Sequence, residues 1–295
     1  MIFPDFGMDT ASLAGSLETK LASIREAGFA QVMISAADVV SHPGGTSAGV
    51  AAVRDSGLAI TGLEALRDFE GLEAHLHRYK VDVAKSMLEL CARLGSRLLL
   101  VEASTARHAR DDPDAIADDL AKLALLALPL GIRIAYKGMP WSRTARDFRQ
   151  ATDVVLRASN ASLGVAVDAF DVLAADVPFD DLDILDPAQT FLVQCSDYIW
   201  QEPRSAEERV ATATHFRVFP GEGAHSEALA RFVSRLDHIG YLGNYSFDVY
   251  NDDYLQMPPE AVTTRARRSA LWLGETVLRR ALPVPDIQRL RKSTA

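Results

Sequence analysis

Short runs of apolar residues alternate with longer stretches in which apolar positions recur every three or four residues, along nearly the whole 295-residue chain. The short runs, at residues 2–6, 31–35, 58–63, 97–102, 132–136, 163–168, 190–195 and 245–250, have the length and composition of buried strands. The stretches at 12–27, 48–56, 72–94, 144–158, 227–239 and 261–280 have the period of helices, as does one running from Asp111 or Asp112 to Gly131. Gly28, Gly57, Gly95, Gly131 and Gly240 stand where helices end, and an aspartate at 111 or 112 stands where one begins. Only the aspartate-rich stretch after the sixth run lacks a clear period.

Strand–helix alternation implies parallel strands joined by helical crossovers. Eight such units without a Pro/Gly/Ser-rich linker predict one closed (β/α)8 TIM barrel over residues 1–282, with a basic, polar tail at 283–295. Neither a GxGxxG fingerprint nor a GxxxxGK loop supports a nucleotide-binding sheet instead.

Composition narrows the function. Hydrophobic residues make up 48% of the chain, ample for a large core, while a net charge of −9 disfavours a partner held by phosphate neutralisation. No nucleic-acid partner is expected. The two cysteines, Cys91 and Cys195, belong to no CxxC pair, which argues against a disulfide scaffold or structural zinc. The first residues lack a basic region followed by an apolar run, and the most apolar stretch, 120–134, is short and carries Lys122, Pro129 and Arg133. A cytoplasmic protein without a membrane partner is the expectation, with homo-oligomerisation left open.

In a barrel of this kind chemistry sits at the carboxyl ends of the strands. The polar residues expected there are Glu64 and Arg67, Glu102, Lys137, Asp168 and Asp171, Gln194 and Asp197, Arg217 and Glu222, and Asp248 with Asn251. Asp168, Gln194 and Asp248 close the apolar runs GVAVD, TFLVQ and YSFD. Oxygen donors from successive strands suit a hard cation such as Mg2+ or Mn2+. His42, in the loop after the second run, is a candidate acid or base, although a loop histidine is more often simply exposed, and His215 near Arg217 is a somewhat better pocket candidate. His75 and His77 are two apart on a helix and face different ways. Cys195 reads as core, and Tyr245, Phe247, Tyr250 and Trp200 as aromatic packing.

The segments LEALRDFEG (63–71), GIRIAYKGMPW (131–141), GVAVDAFD (164–171), FLVQCSDY (191–198), HFRVFPGEG (215–223) and GYLGNYSFDVYND (240–252) resemble the sugar-phosphate isomerase/epimerase superfamily of xylose-isomerase-like barrels. Within it they are most similar to 3-dehydroshikimate dehydratases, including those fused to a hydroxyphenylpyruvate-dioxygenase-like domain. The resemblance implies a metal held by Glu, Asp, Gln and Glu from strands five to eight. The matching positions here are Lys137, Asp168, Gln194 and Asp248, so one ligand is reversed in charge and one is a methylene shorter. It also implies a histidine where Asp171 stands, and a substrate carboxylate held by Arg67 and Arg217, with Glu64 and Asp171 beside it.

A protonated lysine offers a metal no lone pair and repels a dication. The expectation is therefore no cofactor, or a weakly bound divalent cation. Lys137 then has three readings: an ammonium that stands in for the cation, pairing with Asp168 and Asp248 and polarising a substrate carbonyl, a Schiff-base lysine, or a salt-bridge plug; Glu102 is a further partner or base near it, with a plain salt bridge as the simpler role. The corresponding functions are a lyase or isomerase that abstracts a proton next to a carbonyl of a small keto or polyhydroxy carboxylate, and a non-catalytic carboxylate-binding barrel.

Overall fold

Strands that bury both faces must be covered on each side, and here a closed cylinder wrapped in helices does this. The computed structural model describes residues 3–200 and 205–280. Its barrel strands are β1 (Phe3–Asp9), β2 (Phe29–Ser35), β3 (Ala59–Arg67), β4 (Leu98–Glu102), β5 (Arg133–Lys137), β6 (Leu163–Asp168), β7 (Thr190–Gln194) and β8 (Tyr245–Phe247). Each pairs in parallel with the next, and β8 pairs with β1 to close the ring. The helices are α1 (Leu17–Glu26), α2 (Ala36–Val40), α3 (Thr46–Asp55), α4 (Ala74–Leu94), α5 (Pro113–Ala127), α6 (Phe148–Ala158), α7 (Ala169–Ala174), α8 (Ala206–His215), α9 (Ser226–His238) and α10 (Pro259–Leu271).

Differences from the sequence reading have local causes. The first helix begins at Leu17 rather than residue 12, because Ser16 accepts from Thr19 N as its cap and residues 10–12 form a single 3-10 turn. The aspartate-rich stretch holds the short α7 and a 3-10 turn, Phe179–Ile184. Helix α8, absent from the periodicity reading, is fixed at its start by a capping box between Ser205 and Glu208. It leads into a two-residue ribbon in which Asp197–Tyr198 pairs antiparallel with Arg217–Val218. The last helix stops at Leu271 and continues as a π turn, Trp272–Val277. The end of the predicted domain and the predicted tail lie outside the described residues.

Two apolar layers result. A large one between strands and helices includes Leu99, Val101, Ile134, Tyr136, Val165, Val167 and Val193. A small one inside the barrel consists of Met33, Leu98, Leu100, Ala135, Ala166 and Leu192. The inner set fixes the phase of each strand. Side chains alternate with period two, so the next inward residue after Leu100 is Glu102, after Ala135 Lys137, after Ala166 Asp168 and after Leu192 Gln194. Ser246 leads in the same way to Asp248, Gly7 to Asp9 and Gly62 to Glu64. Seven strands thus send a polar or charged side chain to one end of the barrel.

Candidate active site

Register brings these side chains together in neighbouring pairs. Glu102 lies beside Lys137 and Asp168 beside Gln194. The Lys137 ammonium donates to Gln194 Oε1 at 3.0 Å and lies 3.2 Å from Glu102 Oε1 and 3.9 Å from Asp168 Oδ2. A second cation enters from outside the barrel. Arg217 donates through Nη1 to Asp168 Oδ2 at 2.7 Å and to Asp248 Oδ2 and Ser196 Oγ at 3.3 Å, and through Nε to the Ala213 carbonyl at 2.9 Å. Its guanidinium lies 4.3 Å over the Phe170 ring. Arg67 donates through Nε to Glu102 Oε2 at 2.6 Å and remains largely exposed.

Both buried cations keep their charge. Burial works against the Lys137 ammonium, but the Glu102, Asp168 and Asp248 carboxylates outweigh it and hold its pKa above the usual lysine value. Arg217 is raised in the same way, against burial, by Asp168 and Asp248. Burial would lift the Glu102 carboxyl, yet Lys137 and Arg67 hold it down at about 2. A lysine held charged is poorly suited to Schiff-base attack, which needs a neutral amine.

The set Lys137, Asp168, Gln194 and Asp248 does not fit a divalent cation. Asp168 gives Oδ1 to the Phe170 amide as the cap of α7 and Oδ2 to Arg217, while Gln194 gives its carbonyl oxygen to Lys137. Asp248 gives Oδ2 to Arg217. An ammonium and a guanidinium thus take lone pairs that a metal needs, and of the set's side-chain oxygens only Asp248 Oδ1 has no hydrogen-bond partner among the described residues.

The opposite side of the mouth is acidic. Oxygens of Asp9, Glu64 and Asp248 lie within 4.8 Å of one another, and all three residues are buried. Burial, followed by the neighbouring carboxylates, raises Asp9 well above the usual aspartate range and Glu64 to about 7. Tyr250 donates its phenol proton to Glu64 Oε1 at 3.2 Å. The apolar pattern ends the first strand at residue 6 and places Tyr250 in packing. Asp9 escapes that pattern because its signal, a lone carboxylate three residues past an apolar run, also suits a helix cap.

The cavity above these groups measures about 290 Å³, and its wall includes Arg67, Glu102, Lys137, Trp141, Arg217 and Tyr250. Several expected residues do something else. His42 is not among those lining it; its Nε2 lies 2.7 Å from Glu18 Oε1 on α1, so the loop after β2 folds back onto the helices. Arg217 lines the cavity, with its Nε and Nη1 already donating to protein oxygens. Asp171 and Glu64 are buried and are not among the lining residues, although both were expected to bind substrate. Burial, then the charge of Asp168, raises Asp171 well above the usual range, and among the described residues neither of its oxygens has a hydrogen-bond partner. His215 is exposed and pairs with Asp252, Cys195 is buried, and Glu222 accepts from Tyr254 and Arg265.

The RDFEG and FPGEG segments shape the loops around the site. Asp68 accepts from Thr105 N at 2.8 Å and from the Ser104 and Thr105 hydroxyls. Glu70 accepts from Ser104 N, Tyr136 and Thr144. Gly71 has φ +72° and would place a Cβ 2.9 Å from the Arg110 carbonyl, so glycine is required there. The end of the second segment is held by Asp197, in the connection after β7, which accepts from Gly223 N and from the following His225 N and Ser226 Oγ.

Comparison with known proteins agrees with this architecture. The model of the xylose isomerase-like TIM barrel family matches residues 21–275. A 3-dehydroshikimate dehydratase of Pseudomonas aeruginosa is 34% identical over 266 residues, and one of Pseudomonas putida is 31% identical over 274. Each alignment covers 90% of this chain and 41% of the relative, so the chain spans about two fifths of the length of these relatives. A solved xylose isomerase-like TIM barrel/4-hydroxyphenylpyruvate dioxygenase fusion protein superposes with a TM-score of 0.85 at 29% identity, over 99% of this chain and 44% of that one.

Proposed function

The chain belongs to the xylose isomerase-like TIM barrel family, and from that membership we propose that its barrel mouth is a lyase or isomerase site. Its substrate is a small keto or polyhydroxy carboxylate of the 3-dehydroshikimate kind. The reaction abstracts a proton next to a carbonyl, with the Lys137 ammonium in the place where the family resemblance puts a metal. One observation carries this reading: at the wall of the cavity, Lys137 is held charged by Glu102 and Asp168 while its Nζ also reaches Gln194.

Proton abstraction next to a carbonyl leaves negative charge on the carbonyl oxygen. A fixed ammonium stabilises that charge without reorganising, and one such donor contributes roughly 10²–10³-fold in kcat. Arg67, on the exposed rim, has the fork geometry for the substrate carboxylate. When Arg67 turns to the substrate, Glu102 loses one of the two cations that hold its pKa down, and its basicity rises. Glu102 then accepts the proton. Tyr250 stays protonated, because burial and the Glu64 carboxylate raise its phenol well above the usual value, and its proton is held by Glu64.

A non-catalytic carboxylate-binding barrel is the second reading. The completeness of the pairing around Lys137 and Arg217 favours it, since a carboxylate held at about 2 is a weak base. Two measurements on the purified chain separate them: turnover of 3-dehydroshikimate, followed by absorbance of its aromatic dehydration product, and thermal stabilisation by shikimate. Turnover supports the enzyme. Stabilisation without turnover supports the binding barrel, and the absence of both refutes the carboxylate assignment.

A further inference from the structure

We propose that Asp9, Glu64 and Asp248 bind a hard divalent cation, in a site displaced from the position on strands five to eight to one built on β1, β3 and the end of β8. The inference does not depend on the proposed reaction, and its test involves no turnover.

Three carboxylates with oxygens within 4.8 Å of one another and exposures of 0, 5 and 2% are costly to bury unless something positive joins them. Lys137 is paired with Glu102 and Gln194, and Arg217 with Asp168 at 2.7 Å and Asp248 at 3.3 Å, which leaves Asp9 and Glu64 without an ion pair among the described residues. Either shared protons or a metal ion must compensate.

The geometry favours the metal. Each carboxylate has one oxygen fixed by a donor: Asp9 Oδ1 by Ala11 N at 2.9 Å, Glu64 Oε1 by Tyr250 at 3.2 Å and Asp248 Oδ2 by Arg217 at 3.3 Å. Hydrogen bonds of this kind stabilise the ionised form and orient the second oxygen, as outer-shell partners of metal ligands do. Asp248 Oδ1 is fully buried and has no hydrogen-bond partner among the described residues, and the buried Asp9 Oδ2 has none there apart from the facing Glu64 carboxyl. Ser246, two residues before Asp248 on the same inward face, is 2% exposed, and its hydroxyl also has no partner there. An all-oxygen donor set suits Mg2+, Mn2+ or Ca2+ rather than a thiophilic metal. Asp248 and Tyr250 line the cavity and give the ion a route in.

The test is Mn2+ titration of the chelator-stripped full chain, with free Mn2+ read by electron paramagnetic resonance. One saturable Mn2+ per chain is expected. Asp9→Asn and Glu64→Gln, each nearly isosteric, should weaken it by more than about 100-fold, the upper end of the range for outer-shell changes. Both remove a buried like charge, so in metal-free buffer they should melt no lower than the parent. Gln194→Met, which alters only the strand-five-to-eight set, should bind Mn2+ as the parent does. Absence of saturable binding by the parent overturns the proposal. So does binding that survives in both carboxylate variants, or binding that disappears in Gln194→Met.

Discussion

Glu102 shows how the mouth pays for its charges. Burial opposes its ionisation, yet Lys137 at 3.2 Å and Arg67 at 2.6 Å move its pKa from 4.5 to about 2. A carboxyl depressed by folding adds stability that is fully present above the unfolded value and is lost as pH falls through the folded one. The gap from 4.5 to about 2 corresponds to on the order of 3 kcal/mol. Denaturant melts of the parent should therefore lose stability between pH 4.5 and about 2. Glu102→Gln should start less stable, because Lys137 loses a partner, and should lack that part of the slope. Equal slopes would show that the ion pair contributes little. Lys137 itself was legible in the sequence as a reversed charge at a strand end. Arg217 was legible only as an arginine near the site, because its contact with Asp168 spans 49 positions and depends on the fold of the connection after β7.

At the scale of elements, the loops rather than the strands set the shape of the cavity. The RDFEG segment leaves β3 and ties down the loops after β4 and β5, with Glu70 buried among Ser104 N, Tyr136 and Thr144. Glu70→Ala removes an acceptor shared by three buried donors, of which Ser104 N and Tyr136 keep Thr144 Oγ1 as a neighbour, and should cost on the order of 2 kcal/mol in denaturant melts. Glu70→Gln, which keeps an acceptor oxygen, should cost less. A loss below about 1 kcal/mol for the alanine variant would mean that water replaces the carboxylate. In the sequence RDFEG is a mark of resemblance whose arginine implies substrate contact; nothing in its spacing shows that the two acids serve the loops. The barrel strands were readable because burial on both faces produces continuous apolar runs. Their ends were not. β1 runs on to Asp9 and β3 to Arg67, past the point where apolar character stops, because ladder hydrogen bonds continue beneath polar side chains.

For the whole molecule, eight repeats of strand and helix carried enough pattern to give the closed barrel, and the family model over residues 21–275 agrees. Which residues meet at its mouth depends on strand phase, which an inner layer of six small or flexible side chains sets. That phase sends Lys137, Glu102, Asp168 and Gln194 to one side and Asp9 and Glu64 to the other, with Asp248, which Arg217 bridges to Asp168 and which also meets Asp9 and Glu64, between them. Among the described residues no helix is long and apolar enough to cross a membrane. For the proposed action of the Lys137 ammonium on the developing oxyanion, the decisive measurement is steady-state turnover of 3-dehydroshikimate by the parent and by Lys137→Met. The account predicts a fall in kcat of about 10²–10³-fold with KM changed only a few-fold, in a variant that circular dichroism shows to be folded. A folded Lys137→Met that turns over at the parent rate would contradict it.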